Sequence, residues 1–180
     1  MYTRIELPAA GTLLHRLAAF FFAEPVSPVT TDRPNSLEEI TYHLQVRAMT
    51  APAHSTALAF LPILERTATF APGQWAYLAQ QPDGRDVLVD NAYLKVVVIR
   101  WEPGALSTLH GHPLGGGVFK VLEGVIAEAR YRSTDSLVPF SEHTYRPQAT
   151  SYIDDDMGLH TVGNPFPVPA VTVHAYLKYR

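Results

Sequence analysis

The sequence predicts a mainly β protein in which α-helices precede a β-barrel. From about residue 72, short β-rich runs alternate with turn signals, which is typical of a barrel or a sandwich. The part before residue 72 has apolar residues at helical spacing instead. A chain of 180 residues, 47% of them hydrophobic, can bury one sizeable core. We therefore expect a single domain over residues 1–180, with a helical region over 1–71 and the barrel over 72–180.

Three apolar segments predict the helical region. The segment from Leu7 to Ala23 has a helix-compatible pattern, and Pro25 ends it. A second helix is expected to begin at Ser36, because Ser36 and Glu39 have the spacing of a capping box. A third apolar segment runs from Ala57 to Leu64. Three histidines of this region are interpreted as surface or core residues rather than metal ligands: His15, His43 and His54.

Runs of β-branched and aromatic residues predict the strands. The run from Leu94 to Trp101 is nearly continuously apolar, as expected for a strand covered on both faces. The acidic run from Asp154 to Asp156 is interpreted as a solvated turn rather than a metal cluster. The other predicted strands are Asp86–Asp90, Val118–Leu122, Val125–Tyr131, Glu142–Tyr145, Ser151–Asp154 and Ala170–Leu177.

The composition narrows the function to small-molecule chemistry. A net charge of -3 without basic clusters predicts no nucleic acid and no anionic membrane as partner. Apolar runs are too short to span a bilayer. The absence of cysteine excludes disulfides and thiolate metal ligands, and the cytoplasm is the expected compartment.

The segment from Gly104 to Gly124 contains the strongest indication of chemistry, the pair His110 and His112. Alternate side chains of a β-strand share a face, so these two imidazoles would lie close enough to bind one metal ion. With eight histidines in the chain, such a pair also arises by chance. A third histidine from a distant strand would complete the site, and His160 is our candidate.

The last predicted strand has one polar face. Its alternation places Thr172, His174 and Tyr176 together and puts apolar residues on the other face. In an open sheet the polar face would lie in water. In a barrel that holds a metal, the hydroxyl, the imidazole and the phenol would point inward as a hydrogen-bonded relay.

The glycine and histidine spacing over residues 104–124 and 158–164 resembles the two signature motifs of the cupin superfamily. That resemblance implies a double-stranded β-helix, or jelly-roll, barrel with the metal inside. Five ordered segments further resemble cysteine dioxygenase type I, a thiol dioxygenase of the same superfamily. These segments are residues 84–96, 101–112, 119–124, 158–164 and 170–176. The N-terminal third is similar to the family only in being helical.

The resemblance implies a mononuclear non-haem Fe(II) ion bound by His110, His112 and His160. Three neutral imidazoles leave coordination positions open for a small thiol and for O2. The implied partners are therefore a small-molecule thiol and O2. The implied reaction oxidises L-cysteine to cysteine sulfinate.

The resemblance also assigns roles outside the metal site. Arg85 falls where the family binds the substrate carboxylate, although its local sequence alone favours a turn residue in water. Two residues earlier, where family members often have a tyrosine, this chain has Asp83, which would pair with Arg85 or belong to the turn. The Ser/Thr-His-Tyr relay of the family matches Thr172, His174 and Tyr176.

One position of the first motif departs from most relatives. Many cupins have a metal-binding glutamate there, and some thiol dioxygenases have a cysteine linked covalently to the last-strand tyrosine. This chain has Gly117. A carboxylate ligand is therefore absent from that position, and Tyr176 is expected to be a free phenol, as in the bacterial branch of the family.

Three rival functions stay open at this point. The substrate could be another small thiol such as 3-mercaptopropionate, although Arg85 favours cysteine. The barrel could be a non-catalytic metal-binding cupin that senses a small ligand. Three histidines and a water molecule would also suit zinc-dependent hydrolysis. The sequence does not predict the oligomeric state.

Overall fold

The computed structural model describes residues 35–67, 73–112, 115–136 and 138–178. The described residues belong to one compact unit. The predicted helix from Leu7 to Ala23, with His15, lies outside them. The division into a single domain over the whole chain therefore stays a prediction.

Short helices precede the strands. They are α1 (Leu37–Thr50), a 3-10 helix (Ala57–Phe60), α2 (Leu61–Arg66) and a second 3-10 helix (Ala76–Gln80). The predicted start at Ser36 is confirmed, because Ser36 Oγ accepts the backbone N–H of Glu39 at 3.1 Å. The Glu39 carboxylate accepts the N–H of Asn35 at 2.8 Å rather than that of Ser36, so the capping box is shifted by one residue. In the described ranges, every helix is too short or too polar to cross a membrane.

Eight strands form in the described part of the chain. They are β1 (Arg85–Asp90), β2 (Leu94–Trp101), β3 (Gly117–Glu123), β4 (Ile126–Tyr131), β5 (Ser141–Tyr145), β6 (Thr150–Ile153), β7 (Leu159–Gly163) and β8 (Ala170–Leu177). All but β7 match strands predicted from the sequence to within one residue at each end. The first strand begins at Arg85 rather than near residue 72, because turns and the second 3-10 helix occupy residues 73–84.

The strands form two antiparallel sheets that share one core. The larger sheet has the order β1-β2-β8-β3-β6 and the smaller has the order β5-β4-β7. Two isolated bridges, Leu106 with Gly163 and His110 with His160, extend the smaller sheet beyond β7. Buried side chains of both sheets pack together between them, among them Val97, Phe119, Ile126 and Val162. This arrangement is the predicted cupin double-stranded β-helix.

The central strands of the larger sheet are buried on both faces, as predicted for β2. One face packs against the helices, with Val96 and Val173 in the same cluster as Ile40 of α1 and Leu64 of α2. The other face points into the barrel. In β8 this inward face carries the polar residues, so the alternative that they lie in water is wrong: Thr172 is 0% exposed and His174 is 7% exposed.

One charged side chain joins the barrel to the helices. Lys120 of β3 is buried, and its ammonium donates to the main-chain oxygens of Leu64 at 2.6 Å and Thr67 at 3.1 Å. Carbonyls at a helix C-terminus lack intrahelical partners, so Lys120 caps α2. Burial lowers the pKa of Lys120, and the nearby Glu65 carboxylate acts in the opposite direction.

Candidate metal centre

The three histidines predicted from the sequence meet inside the barrel. Ligand nitrogens of His110, His112 and His160 all lie within 4.8 Å of one another. His112 and His160 are 6% and 2% exposed, and His110 is half-buried. The Nε2 of His160 lies 2.8 Å from that of His112 and 3.2 Å from that of His110. In the described part of the chain, this is the one cluster of such residues that could hold a metal ion.

The reason for this convergence differs in part from the prediction. His110 pairs with His160 through two backbone hydrogen bonds, of 3.1 and 2.9 Å, but this is a single bridge rather than a strand. His112 lies beyond the bridge, and its backbone N–H donates to Asp155 Oδ1 at 2.9 Å. A carboxylate thus replaces the ladder partner that a strand would supply. The acidic run is therefore not merely a solvated turn, because Asp155 positions a histidine.

The donor and acceptor pattern of the rings fits a metal ion. Nδ1 of His110 faces the carbonyl oxygen of Thr108 at 2.8 Å, and Nδ1 of His160 faces Glu128 Oε1 at 2.7 Å. Both partners can only accept, so each Nδ1 carries the proton and each Nε2 presents a lone pair. Two lone pairs 3.2 Å apart repel each other unless a cation lies between them. Imidazole nitrogens bind such metal ions at about 2.1 Å, so two ligand nitrogens of one ion would lie at most about 4.2 Å apart, and the 3.2 Å spacing satisfies this limit.

Burial favours the neutral, metal-binding form of His112 and His110. Burial, together with the neighbouring His160 and His110, lowers the pKa of His112 to about 4, and the Glu128 carboxylate acts in the opposite direction. Burial also lowers the pKa of His110, against the effect of its hydrogen bond to Thr108. Neutral imidazole is the ligand form, so both rings are ready to coordinate at neutral pH.

Glu128 of β4 contacts His160 through Nδ1, the ring nitrogen that faces away from the other two histidines. This residue was not identified from the sequence. Its side chain is 0% exposed. Besides His160, it accepts hydrogen bonds from Arg130 at 3.0 Å, Tyr145 at 2.8 Å and Ser151 at 3.3 Å. Burial alone would raise the pKa of Glu128, but the hydrogen bonds from His160 and Tyr145 and the charge of Arg130 together lower it to about 2. The carboxylate is thus held ionised against His160.

The polar face of β8 forms the predicted chain of hydrogen bonds. Thr172 Oγ1 lies 2.7 Å from His174 Nε2, and the other ring nitrogen, Nδ1, lies 3.3 Å from the hydroxyl of Tyr176. The Tyr176 ring stacks on His112 with 5.5 Å between ring centroids. The relay therefore ends beside His112, one of the three candidate metal ligands. Burial raises the pKa of Tyr176 to about 12, and the charge of Arg85 acts in the opposite direction.

Gly117 lies directly opposite Tyr176 in the register of β3 and β8. A Cβ added at Gly117 would lie 2.8 Å from Tyr176 Cδ1 and 3.3 Å from His112 Cε1. The position that carries a side chain in many cupins is therefore filled here by the phenol ring.

Arg85 lies at the cavity that contains the three histidines. The cavity measures about 410 Å³, and its walls include Arg85, Tyr176 and the apolar side chains of Ile99, Phe119 and Val162. Arg85 is exposed, and among the described residues no carboxylate forms an ion pair with its guanidinium.

Asp83 belongs to the turn that precedes β1. Its Oδ1 accepts the backbone N–H of Arg85 at 3.2 Å. Gly84 within the same turn has a φ of 64°, a left-handed conformation that favours glycine. Of the two roles that the sequence left open for Asp83, the turn is the one that the structure shows.

One of the site residues that the sequence analysis missed could have been inferred from the sequence pattern. Glu128 lies two residues from both Ile126 and Arg130 on a predicted barrel strand, so the three side chains share one face. An inward carboxylate could have been inferred from that spacing. A second missed contact, the 2.8 Å hydrogen bond from Trp101 Nε1 to Thr172 Oγ1, depends on the register between β2 and β8, which a single sequence does not specify. His43 and His54 lie outside the three-histidine cluster.

A cupin barrel with three inward histidines defines the class of this protein, a cupin with a centre fit to bind a metal ion. A crystal structure from Bacillus halodurans superposes with a TM-score of 0.50 and 18% identity, covering 63% of this chain and 83% of that one. A cupin superfamily protein from Desulfitobacterium hafniense aligns with a TM-score of 0.43 and 8% identity, over 52% of this chain and 75% of that one.

The family model for cysteine dioxygenase type I matches residues 61–178, and the chain belongs to this family. Cysteine dioxygenase type 1 from Rattus norvegicus and that from Homo sapiens are each 31% identical to it over 114 residues. Each alignment covers 58% of this chain and 57% of the relative. The chain thus spans a little over half the length of the curated relatives that it matches.

Proposed function

We propose that this protein is an Fe(II)-dependent thiol dioxygenase that oxidises L-cysteine to cysteine sulfinate in the cytoplasm. In this reaction both atoms of O2 become bonded to the thiol sulfur, RSH + O2 → RSO2H, so that sulfur is oxidised and O2 is reduced. One observation carries the proposal: three imidazole nitrogens converge in the same cavity that the Arg85 guanidinium lines, and among the described residues this guanidinium forms no ion pair.

The metal would be held by Nε2 of His110, His112 and His160. When bound, Fe(II) supplies the one-electron chemistry that lets O2 react with a thiolate, and its charge lowers the pKa of the thiol. Glu128 keeps the proton of His160 on Nδ1 and so keeps Nε2 available as a ligand. Because the donor set contains no carboxylate, the site keeps the full positive charge of the metal, which favours an anionic thiolate.

Arg85 would bind the substrate carboxylate. A guanidinium is a planar fork of donors that matches both oxygens of a carboxylate. The Asp83 carboxylate accepts from the main chain of Arg85, which leaves the guanidinium available. This contact would favour an amino acid thiol over cysteamine, which has the amine and the thiol but no carboxylate.

Tyr176 and the apolar wall would orient the bound thiol and exclude water. The raised pKa of Tyr176 keeps the phenol protonated, so it can donate a hydrogen bond beside His112. Ile99, Phe119 and Val162 form an apolar part of the cavity wall. Exclusion of water strengthens the ionic contacts inside.

The test measures O2 consumption by the Fe(II)-loaded protein with cysteine, 3-mercaptopropionate and cysteamine in parallel. We expect cysteine to give the highest kcat/KM and cysteine sulfinate as the product. Arg85→Ala should lower kcat/KM for cysteine roughly 30-fold or more, the equivalent of about 2 kcal/mol for a lost charge-assisted contact. The fall should be mainly in KM.

Arg100→Ala provides a matched control. Arg100 is on the neighbouring strand β2, but its side chain pairs with Glu102 at 2.6 Å and does not line the cavity. Its removal should leave kcat/KM unchanged. An equal rate with cysteamine, or an unchanged KM for cysteine in Arg85→Ala, would remove Arg85 from the substrate site. Tightly bound zinc and no thiol-dependent O2 uptake would reject the proposed reaction.

A further inference from the structure

The relay on β8 continues to a fourth residue, Trp101 at the end of β2. Trp101 is 5% exposed, and its indole Nε1–H donates to Thr172 Oγ1 at 2.8 Å. The register pairs Ile99 with Thr172 and Trp101 with Ala170, so Trp101 and Thr172 are diagonal neighbours on the inward face. An indole N–H can only donate, whereas the hydroxyl and the imidazole of the relay can each donate or accept.

The position of Trp101 determines where the hydroxyl proton of Thr172 goes. Thr172 is 0% exposed, and within the described residues its hydroxyl has two hydrogen-bond partners, Trp101 Nε1 and His174 Nε2. Trp101 cannot accept, so Thr172 donates its single proton to His174 Nε2. If His174 donated instead, the hydroxyl proton would be buried without an acceptor, which is costly in a site closed to water.

The same assignment of donors and acceptors determines the direction of the hydrogen bond between His174 and Tyr176. Burial, together with Arg85 and the neighbouring histidines, lowers the pKa of His174 to about 3, so the ring is neutral and has one N–H. Because Nε2 accepts from Thr172, that N–H is on Nδ1. It is then directed at the oxygen of Tyr176, 3.3 Å away.

We propose that Trp101 is a positioning residue that sets the polarity of the relay, so that Tyr176 accepts from His174 and keeps its own proton free. Each hydrogen bond runs toward the cavity: Trp101 to Thr172, Thr172 to His174, and His174 to Tyr176. The phenol then donates into the cavity beside His112. In the opposite polarity the phenol proton would be held by His174, and the phenol would present only lone pairs to a bound molecule.

The functional meaning of this polarity rests on the proposed thiol oxidation, but its test does not. The protonated ring nitrogen of His174 is identified in the metal-free 180-residue chain by two-bond correlation NMR after nitrogen-15 labelling of histidine. The His174 signals are assigned by their loss in His174→Asn. We expect the proton on Nδ1 in the wild type. A wild-type protein with the proton on Nε2 would overturn the proposal.

Variants separate the hydrogen bond of Trp101 from its bulk. In Trp101→Phe the ring packing is kept while the N–H is lost, and we expect a mixture of the two His174 tautomers. Thr172→Val should also give a mixture of the two His174 tautomers, whereas Thr172→Ser should preserve the Nδ1–H form. A Trp101→Phe protein in which His174 has the wild-type spectrum would contradict the role of Trp101.

Trp75→Phe is the matched control. The Trp75 indole also donates to an oxygen, Glu123 Oε2 at 2.5 Å, but it belongs to the cluster between the larger sheet and the helices. Its removal should leave the His174 signals unchanged. Because the tautomer is measured without metal or thiol, a protein with the expected tautomer and no O2 uptake would refute the proposed function alone.

Discussion

Replacement of Glu128 by glutamine tests whether the carboxylate behind His160 controls the metal centre. A glutamine side chain has the shape of glutamate but offers one acceptor oxygen and one NH2 donor. In the wild type both oxygens accept: Oε1 from His160 at 2.7 Å and Oε2 from Arg130 at 3.0 Å and Tyr145 at 2.8 Å. In Glu128→Gln the NH2 group must face one of these donors, whichever way the amide is oriented.

Either orientation weakens the site. If the amide oxygen faces His160, the NH2 group lies against the Arg130 guanidinium, which loses its buried counter-charge. If the NH2 group faces His160, the imidazole must accept at Nδ1 and carry its proton on Nε2, where the metal would bind. Loss of such an outer contact typically costs 10–100-fold in metal affinity, so we expect a weakening of about 1.4–2.7 kcal/mol.

The assay is competition for the metal between the protein and a chromophoric chelator, at fixed pH. Glu142→Gln is the matched control, because Glu142 lies on the adjacent strand β5 and is exposed. The control should bind metal as the wild type does. Circular dichroism checks that Glu128→Gln is folded. A folded Glu128→Gln protein with metal affinity within twofold of the wild type would refute the reasoning.

Three further predictions follow from other contacts. Gly117→Ala should destabilise the fold by about 1–3 kcal/mol in urea and lower kcat, because its Cβ would lie 2.8 Å from the Tyr176 ring; unchanged stability and kcat would show that the ring moves freely. Lys120→Met should lower the free energy of unfolding, measured in urea, by about 1.5–3 kcal/mol, because two hydrogen bonds to the end of α2 are lost. Lys95→Met, at a side chain that is 40% exposed, should lower it by less than about 1 kcal/mol. Metal at 100 times its dissociation constant should stabilise the fold by about 2.7 kcal/mol, so chelation should lower the melting temperature by roughly 5–10 °C in the wild type but not in His112→Ala.

The strands of the barrel could be predicted from the sequence because their patterns are local. The apolar run of β2 and the alternation of β8 each indicate which faces of the strand are buried. Both strands have the predicted bounds. For β7 the sequence placed His160 on a strand but did not give the bounds of that strand. The strand, Leu159–Gly163, ends in glycine, which is depleted in strands, so the composition did not indicate its bounds.

The three candidate metal ligands could be predicted from the sequence, but the contacts that orient them could not. A histidine pair and a third histidine in a recognisable motif are visible as residue types at a spacing. The bonds of Glu128 to His160 and of Asp155 to His112 join positions 32 and 43 residues apart. Whether these residues meet in space depends on the sheet register and on the loop after β6, which a single sequence does not specify. The prediction of a strand through His112 was wrong for the same reason.

The central claim is that Nε2 atoms of three histidines bind one metal ion. It is tested most directly by a crystal structure of the metal-loaded protein with diffraction data collected on both sides of the metal absorption edge. We predict one anomalous peak within about 2.1 Å of Nε2 of His110, His112 and His160. Absence of a peak there, or a metal bound through other atoms, would contradict the account.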